Sequence, residues 1–286
     1  MKDDLSALAN MVYSGRGIIV GQTPAGNNFI GYSLTGRSPS SQARELVVGE
    51  HSKTIRTSVT DPEQLEKGSP ALLLYPALAA PTNDALIASN GAQTKLVFSA
   101  IMGPGLESGH QLLSAEISLE TAFEHPHWEY DKKADAWIDI TAYEPDNPNF
   151  TPRISACIQG PSAAMHIVRR SKDGKREPEI HKVELEPGKG KLITTYSGGN
   201  EKPLAPFTGK PLDVVIESNT AEGIAESIYA AIQGGQNPED NYRVAAAVML
   251  EYRDKPADWA AVLHGDKTLE EAMIKTAIIN RSERGE

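Results

Sequence analysis

Four stretches of this 286-residue chain carry side chains that packing alone does not call for. In the densest, Tyr32-Ser-Leu-Thr-Gly-Arg-Ser-Pro-Ser-Ser-Gln-Ala-Arg44, Arg37 and Arg44 bracket Ser38, Ser40, Ser41 and Gln42. Guanidinium forks, hydroxyls and glycine-adjacent N–H groups are the donors that suit the three oxygens of a phosphate monoester. A polar hairpin loop with two solvated arginines would use the same residues. Upstream, Tyr13-Ser-Gly-Arg-Gly-Ile-Ile-Val-Gly21 sets Arg16 at the mouth of an apolar strand. The third stretch, Ala88-Ser-Asn-Gly-Ala-Gln-Thr94, falls between a strand and a helix. Its Asn90-Gly91 pair permits positive φ and close backbone approach, and the helix start offers free N–H groups. An ordinary turn with Thr94 as N-cap is the alternative. The fourth, Tyr143-Glu-Pro-Asp-Asn-Pro-Asn-Phe-Thr-Pro-Arg153-Ile, presents Glu144 and Arg153 on a loop stiffened by three prolines. Rigidity benefits a catalytic carboxylate, although a rigid acidic surface loop looks the same in sequence.

Other chemistry is excluded or weak. Cys157 is the single cysteine, so an intramolecular disulfide and any multi-cysteine metal site are ruled out. It lies in an alternating strand, as a buried inert thiol does. His125-Pro-His127 offers two ligands, which do not make a metal site. No Walker sequence occurs, and Gly103-Pro-Gly105 lacks the third glycine of a dinucleotide fingerprint. With 28 Lys+Arg against 38 Asp+Glu, the net charge of −10 argues against duplex nucleic acid or an anionic membrane as a partner. It leaves room for a small anion gripped locally. No apolar run of 18 or more residues occurs and the N-terminus has acids where a leader has a basic region, so a cytoplasmic protein is expected.

The elements that must hold these residues read as blocks. Strands are expected at 17–21, 28–34, 45–48, 53–58, 71–74 and 85–89, then helices at 93–102 and 111–123. Strands return at 153–159, 163–169, 181–185, 192–195 and 214–217, with Asp173-Gly174 as a two-residue hairpin turn. A helix opens at Thr220 and stops at Gly234-Gly235, a strand follows at 247–252, and a helix is expected at 269–278. Strands and helices in blocks, without strict alternation, indicate an α+β sandwich of antiparallel sheets in one domain spanning 1–286.

Together, Gly15-Arg16-Gly17, Ser38-Pro-Ser-Ser-Gln-Ala-Arg44, Ser89-Asn90-Gly91 and Tyr143-Glu144-Pro-Asp with Thr151-Pro152-Arg153-Ile154 resemble the archaeal-type inosine monophosphate (IMP) cyclohydrolase family. The chain is similar to bacterial homologues of that family, with extra residues around 60–70, 103–110 and 125–138 and beyond 197. The resemblance implies an αββα four-layer sandwich like that of the N-terminal-nucleophile hydrolases. It also implies ring closure of 5-formamidoimidazole-4-carboxamide ribonucleotide to IMP with loss of water. No cofactor or metal is expected, and the partner is a small purine ribonucleotide; a homo-oligomer is open.

On this resemblance, Arg37, Arg44, Ser38, Ser40 and Gln42 hold the ribose phosphate, with Arg16 as a further member. Asn90 and the Gly91 amide hold the carboxamide or formyl oxygen. Glu144 is the general base or orienting carboxylate, and Arg153 pairs with it or polarises the formyl group. Tyr75, in Leu-Leu-Leu-Tyr-Pro, is the proton donor to the departing hydroxide, unless it is only a strand-end tyrosine capping the core. Two alternatives remain: an amidohydrolase on the same sandwich, and a binder of purine ribonucleotides without turnover. A true N-terminal nucleophile would require cleavage after Tyr13 to expose Ser14.

Overall fold

The computed structural model describes residues 3–49, 53–103, 114–233, 241–252 and 273–285. Among the described residues, fifteen strands are arranged as a six-stranded sheet, a seven-stranded sheet and a separate hairpin. The six-stranded sheet contains β1 (Arg16–Gln22), β2 (Asn28–Thr35), β12 (Lys189–Thr194), β13 (Leu212–Val215), β14 (Arg243–Glu251) and β15 (Ile274–Asn280), in the order β13-β12-β1-β2-β14-β15. The seven-stranded sheet contains β3 (Arg44–Val48), β4 (Thr54–Val59), β5 (Pro76–Thr82), β6 (Ala85–Ser89), β9 (Arg153–Gln159), β10 (Ser162–Arg170) and β11 (Arg176–Val183), in the order β11-β10-β9-β6-β5-β4-β3. The hairpin pairs β7 (Trp128–Asp131) with β8 (Ala136–Asp139). Every ladder is antiparallel.

Side-chain alternation along the strands builds the layers. In β1, Ile18 and Val20 enter the core between the sheets, beside Ile30, Leu86, Ile154, Met165 and Met249. Ile19 points the other way and packs with Leu5, Leu8 and the helix Ala221–Ala231. On the far face of the second sheet, Ile87, Cys157 and Ala164 pack against the helices Thr94–Met102 and Ala115–Phe123. Both sheets are therefore apolar on two faces, which explains why their strands read as near-continuous hydrophobic runs. Burial pushes the Cys157 thiol up to about 12, so it stays protonated.

Two expected elements change type. The Leu-rich stretch at 71–74 forms a one-turn helix, Pro70–Leu73, because Pro70 fixes φ at the first helical position. The strand of that region starts beyond Tyr75, at Pro76. The helix expected at 269–278 is β15 from Ile274 onward; residues 269–272 lie outside the described residues. Ile274 and Ile278 face one core while Ala277 and Ile279 face the other, a period of two that the helical reading overlooked. The Asp173-Gly174 hairpin is longer than two residues, since Arg170 pairs with Arg176. The helix expected from 111 begins at Ala115, capped by Ser114, and the Gly234-Gly235 stop lies outside the described residues. The β7–β8 hairpin had no sequence expectation. No helix among the described residues is long and apolar enough to cross a membrane.

Candidate functional site

Arg16 opens β1 and is held there by its neighbours. Its N–H donates to Thr195 Oγ1 at 3.1 Å, and its carbonyl accepts from the Thr195 N–H at 2.9 Å. Gly15 sits at φ +72°, where a Cβ would collide with Thr195 Oγ1 and the Tyr196 ring. The guanidinium thus emerges from the end of the six-stranded sheet with little freedom, and its Nη2 pairs with Glu144 of the facing loop.

Glu144 lies on the approach to β9, in a loop that Asp146 locks. The Asp146 carboxylate accepts from the Thr151 N–H at 2.6 Å and from Thr151 Oγ1 at 2.5 Å. With that hydroxyl proton committed, the Tyr196 phenol must donate to Thr151 Oγ1 across 2.5 Å. The Glu144 N–H donates to the Thr151 carbonyl at 2.8 Å, closing the loop on itself. Burial pushes the Glu144 carboxyl above the ordinary glutamate range, against the pull of Arg16 and Arg153 and with a push from Asp146. Burial alone would lower Arg16, yet Glu144 and the surrounding phenols hold it well above its ordinary value. Burial holds Arg153 below its ordinary value, with Glu144 opposing.

Arg16 and Glu144 line a cavity of about 280 Å³ together with Arg37, Ser38, Ser40 and Asp146. Tyr13, Thr151, Tyr196 and the stretch holding Gly68, Ser69, Leu72 and Leu73 complete most of its wall. Five sequence-expected residues thus meet in one place: Arg16, Arg37, Ser38, Ser40 and Glu144. Ser38 caps the short helix Pro39–Gln42. Arg37 lies over the Tyr13 ring, 5.4 Å from its centroid, and donates to Asn200 Oδ1 at 3.0 Å.

The other expected residues lie behind this surface. Arg44 is buried, donates through Nε to the Ser41 carbonyl at 2.9 Å, and acts electrostatically on Tyr13, Tyr32 and Glu144. Gln42 is exposed and donates to the Gly36 carbonyl at 3.1 Å, bracing the serine turn. Tyr75 is buried with its hydroxyl 2.9 Å from that of Tyr32.

Asn90 and Gly91 have a different job from the one expected of them. They do not line the cavity. The Asn90 amide donates to the Pro152 carbonyl at 2.9 Å, while its oxygen accepts from the Ile154 N–H at 2.9 Å and from Gln93 Nε2 at 2.8 Å. Gln93 Oε1 in turn accepts from Arg153 Nη1 at 3.0 Å. A Cβ at Gly91 would strike that same guanidinium nitrogen, so the glycine leaves room for Arg153. The Asn-Gly turn is a mount for Arg153.

The charge balance of this cluster is uneven. Arg16, Arg44 and Arg153 are all at most 9% exposed, against one comparably buried carboxylate, Glu144 at 3%. Arg16 Nε, Arg44 Nη1 and Arg153 Nε are buried and have no hydrogen-bond partner. Of the three, Arg16 lines the cavity and Arg44 and Arg153 stand behind it, so the cluster's excess positive charge suits an anionic ligand there. Sequence reasoning missed Tyr13, Asp146, Thr151, Tyr196 and the 68–73 wall. Asp146 and Thr151 stand inside the proline-rich stretch singled out above, and their spacing fits a side chain closing its own loop.

A family model described as IMP cyclohydrolase-like protein matches residues 13–131 and 132–255. Among curated proteins, the chain is 26% identical over 206 residues to a protein named IMP cyclohydrolase from Methanococcus maripaludis strain S2. That alignment covers 71% of this chain and 85% of the relative. A protein of the same name from strain C7 is 25% identical over 189 residues, covering 66% and 77% respectively.

Proposed function

The chain belongs to the IMP cyclohydrolase-like family, and on that premise we propose that it closes the purine ring of a formamidoimidazole carboxamide ribonucleotide, forming IMP and water. One observation carries this reading: the excess of positive charge at the cavity, with Arg16 and Arg37 on its wall and Arg44 and Arg153 buried behind it, against the buried Glu144. A ribonucleotide monophosphate supplies the dianion that such an excess attracts.

The reacting groups are tethered in one substrate, so catalysis is a matter of orientation, proton movement and stabilisation of developing charge. The carboxamide nitrogen attacks the formyl carbon, forming the ring C–N bond. Glu144 takes the proton that nitrogen sheds and hands it to the formyl oxygen, which becomes a hydroxyl; its raised pKa suits it to exchange protons nearer neutrality. Arg153, mounted by Gln93 behind the cavity wall, adds positive potential toward the formyl oxygen. The C–O bond then breaks as the former formamide nitrogen gives up its proton, which leaves with the hydroxyl as water. Tyr75, buried against Tyr32, is not part of that wall. Arg37, Ser38 and Ser40 receive the phosphate at the rim, with Arg44 adding positive potential from behind. The reading takes residues 1–286 as one domain of the N-terminal-nucleophile type and calls for no cofactor.

An amidohydrolase reading requires a free amine at Ser14. Ser14 is 3% exposed, and Leu5, Leu8 and Met11 ahead of it are part of the core beneath the Ala221–Ala231 helix. Cleavage there would strip that core, so the cyclohydrolase reading is favoured. The test is an absorbance assay for purine formation from the formylated carboxamide ribonucleotide, without added metal or cofactor. Turnover is expected; binding of IMP with no turnover would leave only a nucleotide-binding protein.

A further inference from the structure

One wall of the cavity belongs to neither sheet. Gly68 and Ser69 line it from the link between the short helices Pro62–Leu65 and Pro70–Leu73, and Leu72 and Leu73 from the second of these helices. Gly68 touches the serine turn: a Cβ there would lie 3.0 Å from Ser40 Oγ and 3.1 Å from its Cβ.

The grip on this wall comes from the β7–β8 hairpin. The Lys133 ammonium donates to the carbonyls of Glu66 and Gly68. The Ser69 hydroxyl donates to Asp131 Oδ2 at 2.7 Å. Asp131 is 4% exposed and also holds the hairpin's own turn, accepting from the N–H groups of Lys133 at 2.9 Å and Ala134 at 3.2 Å. A Lys95–Glu129 ion pair fastens the hairpin to the Thr94–Met102 helix. Its aromatic residues face the other way, with Trp128 57% and Trp137 65% exposed. A two-stranded hairpin is marginal by itself, so these polar ties to the wall and to the helix matter to both partners.

We infer that the 128–139 hairpin is a clasp, with Asp131 and Lys133 as positioning residues that hold the 66–73 wall against the serine turn and so set the width of the cavity. The inference rests on the ribonucleotide reading for the identity of the ligand, though not for the clasp itself.

Two measurements on Asp131→Ala, Lys133→Ala and Lys133→Arg test it. Without ligand, amide hydrogen exchange across 66–73 should quicken about tenfold in both alanine variants and return toward wild type in Lys133→Arg, with β1 and β9 unchanged. Exchange equal to wild type in the alanine variants would overturn the clasp. Titration with IMP should then show binding weakened by about threefold to tenfold in the alanine variants, with KM raised to match and kcat within about twofold. A loosened wall with unchanged IMP affinity would overturn its role in setting the cavity, and a fall in kcat alone would do the same. Wild-type protein that neither binds IMP nor turns over would defeat the functional reading, while the exchange measurement would still decide the clasp.

Discussion

The β1–β2 hairpin ends in buried polar residues at both tips, and the two tips are built on opposite principles. At the Gln22–Asn28 end, Gln22 Nε2 donates to Asn28 Oδ1 at 2.9 Å, and Asn28 Nδ2 donates to Glu251 Oε2 at 3.0 Å. All three residues are at most 7% exposed, and none of their buried polar atoms lacks a partner. At the Arg16 end, Arg16, Arg44 and Arg153 gather around the carboxylate of a buried ion pair, and each leaves one buried nitrogen unmatched. Buried polarity alone therefore does not mark a site. A closed circuit of donors and acceptors is architecture, whereas leftover donors of one sign are an invitation to a ligand.

The largest effect that separates the two tips is kinetic. Glu144→Gln should lower kcat by about 10²- to 10⁴-fold, as expected for loss of a general base, and leave IMP binding measurable by calorimetry. Wild-type turnover in this variant would remove Glu144 from the chemistry. At the other tip, Asn28→Ala should strand both Gln22 and Glu251 and lower unfolding stability by about 1–3 kcal/mol in a denaturant titration. Its kcat and KM should match wild type; a kinetic defect there would erase the distinction drawn between the tips.

The smallest effect is on the pH dependence of stability. The native Glu144 carboxyl keeps its proton to higher pH than an unfolded glutamate does, near the ordinary 4.5. In the window above that value the native state binds more protons than the unfolded one, so this group's contribution to stability falls as pH rises. Glu144→Gln removes that slope. Its stability relative to wild type should thus climb by up to about 1.4 kcal/mol per pH unit across the window, while Asn28→Ala shows a constant offset. Stability of Glu144→Gln relative to wild type that falls with rising pH would contradict the raised value.

Much of the molecule was legible in the sequence because its strands are apolar on both faces. β1, β2, β6, β9 and β10 needed only their runs of Ile, Val, Leu and Ala to be recognised. Recognition failed where local pattern and tertiary need diverge. Leu72 and Leu73 look like strand yet turn inward from a proline-started helix, and β7–β8 carries its aromatic residues on the outside, opposite to the usual signal. In the site, residue types identified Arg16, Arg37, Ser38, Ser40 and Glu144 as chemically apt. Their meeting depends on the facing of two sheets, which no local window records. The role of Asn90 was hidden for the same reason: a side chain that can donate to a ligand can equally bind the strand beside it, and spacing does not distinguish the two.

Arg16 rides on one sheet and Glu144 on the approach to the other, so their ion pair works as a gauge of slip between two rigid plates. Close-packed interiors pass displacement along instead of absorbing it, and an ångström of misplacement at reacting groups can cost about 10²-fold in rate. On the proposed function, reshaping the filling at Met165 or Met249, neither of which lines the cavity, would shear the plates and detune the chemistry by mechanics alone. If the chain turns over as proposed, the sandwich interior is part of the site's alignment, and its tolerance to repacking is bounded by turnover before it is bounded by folding.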